Sequence, residues 1–173
     1  DARGQTGNEK SRTGRSMSPS ASRFPLHVVL IGYNRPHSLQ RLVSSLRNAE
    51  YGPDDVSVSV SFALDHAANS SIDHALDLVV ASLANTWQYG QVSVRRRRSR
   101  AGLRDNVLGA YVPASDDAPP AVFLEDDIEL SPLWWHWIQA CLRRYASPPS
   151  KALVGISLFT PDDMKYARAP LLM

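Results

Sequence analysis

The sequence is poor in several things that would mark familiar classes of protein. It holds one cysteine, Cys141, in 173 residues, so no internal disulfide framework and no multi-cysteine zinc site can form. No apolar run approaches the roughly 18 residues needed to cross a bilayer. Nine glycines are present, but they form neither a GxGxxG nor a GxxxxGK[ST] pattern, which disfavours ordinary dinucleotide dehydrogenases and P-loop enzymes. The five histidines, His27, His37, His66, His74 and His136, are too scattered to suggest a metal cluster. No nucleophile elbow supports a Ser-His-Asp hydrolase.

What remains is an ordinary globular mixture, with 43% hydrophobic and 21% charged residues. The formal net charge of +2 is unevenly placed. Residues 1–23 hold five basic side chains against two acidic ones, a net of +3. Residues 24–173 hold 14 basic and 15 acidic, a net of −1. The first stretch is rich in Gly, Ser and Arg and nearly devoid of apolar residues, so it is expected to be a disordered basic tail, a linker or a stem. The basic excess therefore says little about the domain expected over 24–173.

Within that domain short apolar runs alternate with helical patterns. The run Leu26-His27-Val28-Val29-Leu30-Ile31-Gly32 suits a strand buried on both faces. Tyr33-Asn34-Arg35-Pro36 then turns into a helix with Pro36 in its first turn and Asn34 as cap. Leu39, Leu42, Val43 and Leu46 make its apolar face. Strands are expected over 56–64, 91–94, 121–124 and 152–158. Helices are expected after Ser70-Ser71-Ile72-Asp73, read as a capping box, around 102–110, and after Ser131-Pro132, with Trp134, Trp137, Ile138, Cys141, Leu142 and Tyr145 on one face. Such alternation predicts an α/β fold built on a mostly parallel sheet flanked by helices.

Ligands of open α/β sheets bind at the carboxyl ends of strands. Three predicted strand ends carry suitable polar residues: Tyr33-Asn34-Arg35, Asp65, and Glu125-Asp126-Asp127. Three adjacent carboxylates after an apolar strand repel one another, and a divalent cation with oxygen ligands relieves that repulsion most simply. Strand alternation would point Glu125 and Asp127 one way and Asp126 the other. The triplet also reads as a solvated acidic loop or a cap for the helix near Ser131, and Asp65 as a plain turn residue. The basic stretch Arg95, Arg96, Arg97, Arg98, Arg100 and Arg104 reads either as an anion site or as a solvated charge run.

Two of these segments resemble a known family. Residues 26–47, with strand, Tyr33-Asn34-Arg35-Pro36 and amphipathic helix, resemble the opening of GT-A fold glycosyltransferases. Residues 122–132, Val-Phe-Leu-Glu-Asp-Asp-Ile-Glu-Leu-Ser-Pro, resemble the DxD region of that family in the Glu-Asp-Asp form of the N-acetylglucosaminyltransferase I type and family-2-like transferases. The resemblance spans about residues 24–165. It implies a Rossmann-like GT-A fold and transfer of a sugar from a nucleotide-sugar donor, a UDP-sugar, to a glycan, protein or lipid hydroxyl. It implies that Asp127 coordinates Mn²⁺ or Mg²⁺, with Glu125 and Asp126 near ribose or donor sugar. Asp65 would meet the uracil edge, and Tyr33, Asn34 and Arg35 would lie along base and ribose. Arg100, Gly102 and Leu103 fall where the family has a basic-Gly-Leu stretch, and Asn106 where some members place a ligand-contacting histidine. The catalytic base would follow Met173, and the compartment implied is the Golgi or ER lumen with an anchor upstream of Asp1. Two other readings stand beside it: a catalytically inactive nucleotide-sugar-binding module, and a nucleic-acid-binding protein using 95–104. No recognised nucleic-acid motif supports the latter.

Overall fold

A computed structural model of the chain describes residues 23–53, 55–146 and 155–158. Most of the expected tail and part of the strand expected over 152–158 lie outside the described residues. Residues 155–158 belong to no strand.

β1 (Leu26–Gly32) leads into α1 (Pro36–Arg47), then β2 (Val58–Leu64), α2 (Ser70–Ala84) and β3 (Val92–Arg96). The short α3 (Leu103–Leu108), β4 (Ala121–Glu125) and α4 (Trp134–Tyr145) follow. The four strands form one sheet in the order β3-β2-β1-β4, and all three pairings are parallel. The chain moves outward from β1 to β3 and then returns to the other side of β1. The strand order therefore reverses between β1 and β4, where a crevice opens beyond the strand ends.

β1 is buried along almost its whole length because both faces of the sheet are covered. On one side Leu26, Val28 and Leu30 join Val58, Val60, Phe62 and Leu64 of β2 and the buried stripes of α1, α2 and α4 in one core. On the other side Val29, Ile31 and Ala63 pack beneath Val107, Ala110 and Tyr111. The alternation along β1 thus sorts side chains between a large core and a small one.

Local chemistry departs from expectation at the helix starts. Asn34 does not cap α1; Arg35 occupies that position, without a side-chain cap bond, and Pro36 is the first helical residue. α2 is capped one residue earlier than Ser70: Asn69 Oδ1 accepts from Ser71 N and Ile72 N at 3.0 and 3.3 Å. α4 begins at Trp134, and its buried stripe is Trp134, Trp135, Ile138, Gln139 and Leu142, leaving Trp137 and Tyr145 exposed. No helix among the described residues is long and apolar enough to cross a membrane.

Candidate functional site

The end of β1 shapes the crevice first. Gly32 is buried where a Cβ would meet Leu64 Cδ2 at 3.0 Å, so the backbone there lies close against β2. The chain then leaves the sheet through Tyr33, Asn34 and Arg35, each lining a cavity of about 330 Å³. Asp65, at the end of β2, and Asn106, from α3, line it as well. So do Arg100 and Gly102 on the approach to α3, Glu125 at the end of β4 and Asp126 just after it. The nine residues expected around a bound nucleotide-sugar therefore surround one cavity.

Asp65 is almost wholly buried, and its carboxylate is held by backbone. Oδ1 accepts from His66 N and Ala101 N, and Oδ2 from Gly102 N, all at 2.9 Å. Burial alone would push its pKa up, but the three N–H donors and the charge of Arg97 outweigh it and hold the pKa below the usual value. Asp65 thus stays ionised and pins the loop entering α3 across the end of β2. Gly102 takes a positive φ of 79° there, a conformation that glycine adopts at little cost. Asn106, also buried, donates from Nδ2 to Ala63 O at 3.0 Å, and its Oδ1 is buried without a partner among the described residues. The Arg100 guanidinium, also lining the cavity, lies 5.1 Å from the Tyr33 ring centroid, a cation–π contact.

The acidic turn follows β4. That strand ends at Glu125, and residues 126 and 127 are in a turn, yet the in-and-out alternation of exposure runs on through them. Asp126 is buried, whereas Glu125 and Asp127 are exposed. Arg35 bonds to Asp126 and, at 3.2 Å, to Asp127. Desolvation pushes the Asp126 pKa up, partly offset by Arg35 and by an N–H from Tyr33. Glu129 faces Arg41 of α1 at 3.1 Å, and Leu130 N donates to Ser45 Oγ at 3.0 Å, so α1 holds the whole turn.

No three His, Cys, Asp or Glu side chains converge as a metal cage among the described residues. The donors at the turn are nonetheless all carboxylate oxygens. Hard cations such as Mg²⁺ commonly use one or two carboxylates and take their other ligands from substrate phosphates and water. Asp127 suits that role, with Glu125 and Asp126 adjacent.

The arginine stretch does not act as one patch. β3 extends into it, and Arg96 turns to α2, bonding Asp73 at 2.6 Å and Asp77 at 2.5 Å. Arg97 points the other way and donates to Asp105 O at 2.6 Å. Of the stretch, only Arg100 lines the small cavity. The sequence offered signals for the paired charges, a basic residue after the first strand and acidic ones after the fourth, but their adjacency needs the strand order.

A larger trough of about 1180 Å³ runs along the outer edge of β4, among Phe123, Ile128, Leu133, Trp137 and Ile138. Its lining is mainly apolar, and Asp127 stands on its rim. Converging charges and hydrogen-bonding groups favour the smaller cavity as the polar ligand site.

No family description and no curated protein matches the chain. Among solved structures it is similar to the 1–349 fragment of S. aureus TarS, at 16% identity and a TM-score of 0.47. That match covers 70% of this chain and 33% of the other. The same fragment in complex with UDP-GlcNAc is similar at 13% identity and a TM-score of 0.48, covering 70% of this chain and 32% of that one. The chain therefore spans about a third of the length of those structures.

Proposed function

We propose that the chain is the donor-binding part of a metal-dependent nucleotide-sugar transferase, with a UDP-sugar as donor. The observation that carries this reading is the meeting of Tyr33, Arg35, Asp65, Arg100, Glu125 and Asp126 around one cavity at the strand-order reversal, with Asp127 bonded to Arg35 beside it. The resemblance of residues 26–47 and 122–132 to GT-A glycosyltransferases supports it.

In this reading Tyr33, backed by Arg100, offers a stacking wall for the base. Asp65 is a fixed anion, its two oxygens already oriented by backbone N–H groups, and it accepts a hydrogen bond from a base N–H. Arg35 supplies positive charge beside the diphosphate. Asp127, exposed and bonded to Arg35 beside the cavity, would hold the divalent cation with help from Glu125 or Asp126. When bound, that cation stabilises the negative charge gathering on the departing diphosphate. The acceptor, a glycan, protein or lipid hydroxyl, would approach the anomeric carbon from outside this cavity.

Calorimetric titration of UDP, GDP and their sugars into the chain, with and without Mn²⁺, tests the proposal. Binding is expected only with Mn²⁺, and Asp127→Ala, at an exposed position, should weaken it at least about tenfold while the thermal transition stays in place. Equal affinity in Asp127→Ala would contradict the metal role. Preference for GDP over UDP would contradict the donor class.

A further inference from the structure

The acidic turn already has a cation of its own. One guanidinium, that of Arg35, reaches two different carboxylates: Nη2 bonds Asp126 Oδ1, and Nη1 bonds Asp127 Oδ2 at 3.2 Å. The two halves of this clamp differ. Asp126 is buried with only 4% of its side chain exposed, so its bond to Arg35 compensates a carboxylate that water cannot reach. Asp127 is 49% exposed, and its bond to Arg35 is the longer of the two. A half-exposed ion pair of this kind is weak and readily exchanged.

Asp127 is also the carboxylate to which the proposed function assigns a divalent cation, and this inference rests on that reading. A cation arriving alone would meet Arg35 already seated, and the two positive charges would oppose each other across one carboxylate. A diphosphate changes the balance, because it gives the guanidinium an anion it can grip through two donors. Arg35 can then release Asp127 and keep Asp126.

We propose that Arg35 is an internal placeholder for the divalent cation, which weakens metal binding at Asp127 until a nucleoside diphosphate draws its charge away. Metal and nucleotide are then taken up together, and each raises the affinity for the other by the same factor. Arg35 is a positioning residue in this scheme: it decides when Asp127 is free.

The test is the affinity of Mn²⁺ alone, read by electron paramagnetic resonance of the free ion, for the unaltered chain, Arg35→Lys and Arg35→Met. The unaltered chain should bind Mn²⁺ weakly, and UDP but not UMP should strengthen that binding. Arg35→Met should bind Mn²⁺ without nucleotide about tenfold more tightly than the unaltered chain, in keeping with loss of one adjacent positive charge. Arg35→Lys keeps a charge for buried Asp126 but cannot span both carboxylates, so it should fold even if Arg35→Met does not and should show an intermediate gain. Mn²⁺ binding no tighter in Arg35→Lys or Arg35→Met than in the unaltered chain overturns the placeholder role. Failure of the unaltered chain to bind UDP with Mn²⁺ would instead remove the proposed function, and the nucleotide-free comparison separates the two.

Discussion

Asp65 shows how one residue can serve both structure and site. Its three backbone N–H donors fix the loop that carries Arg100 and Gly102 into the cavity, and the same bonds keep it ionised. Because its folded pKa lies below the unfolded value, its contribution to stability is present in full above about pH 4 and drains away as pH falls through the folded pKa. Asp65→Asn swaps an accepting oxygen for a donor that faces backbone N–H, and it should cost about 1–3 kcal/mol near neutral pH. Urea titrations across pH should show the gap between the two proteins constant above about pH 5 and narrowing in acid. A gap that does not change with pH would show that the charge of Asp65 is irrelevant to the fold. That a carboxylate follows the second strand is visible in the sequence. Its anchoring of residues 101 and 102 is not, because those partners lie more than 30 positions away.

Periodicity located the secondary-structure elements well and their ends less well. The stripe of Leu39, Leu42, Val43 and Leu46 and the buried run of β1 follow directly from side-chain spacing. Caps and strand ends depend on competition between neighbours. Asn69 precedes the expected capping box and takes over its role, while Asp73 is drawn off to Arg96 on the adjacent strand. Asn69→Ala should therefore destabilise the protein by about 1 kcal/mol, whereas Ser70→Ala should change stability by only a few tenths. Denaturant midpoints at constant slope measure both. Equal losses at the two positions would restore Ser70 as the cap. The arginine stretch follows the same rule. Arg96, at the end of β3, goes to α2, and Arg97, just past it, goes to the Asp105 carbonyl of α3, so a run that looks like one basic patch becomes two separate attachments.

At the scale of the whole molecule, function follows from strand order. β1 and β4 are far apart in sequence yet adjacent in the sheet, and their ends set Arg35 against Asp126 and Asp127 across about 90 positions. The α/β class is legible from the alternation of apolar runs with helical stripes. The pairing of β1 with β4 is a long-range choice that no local pattern carries, although right-handed crossovers narrow the options. The central claim is that this junction is the seat of a nucleotide-sugar. A crystal structure of the chain grown with UDP and Mn²⁺ tests it most directly. The account predicts uracil against Tyr33 and Asp65, the metal at Asp127, and Arg35 turned from Asp127 toward the diphosphate. UDP seated in the apolar trough along β4, or a junction in which Arg35 still spans both aspartates with UDP bound elsewhere, would contradict it.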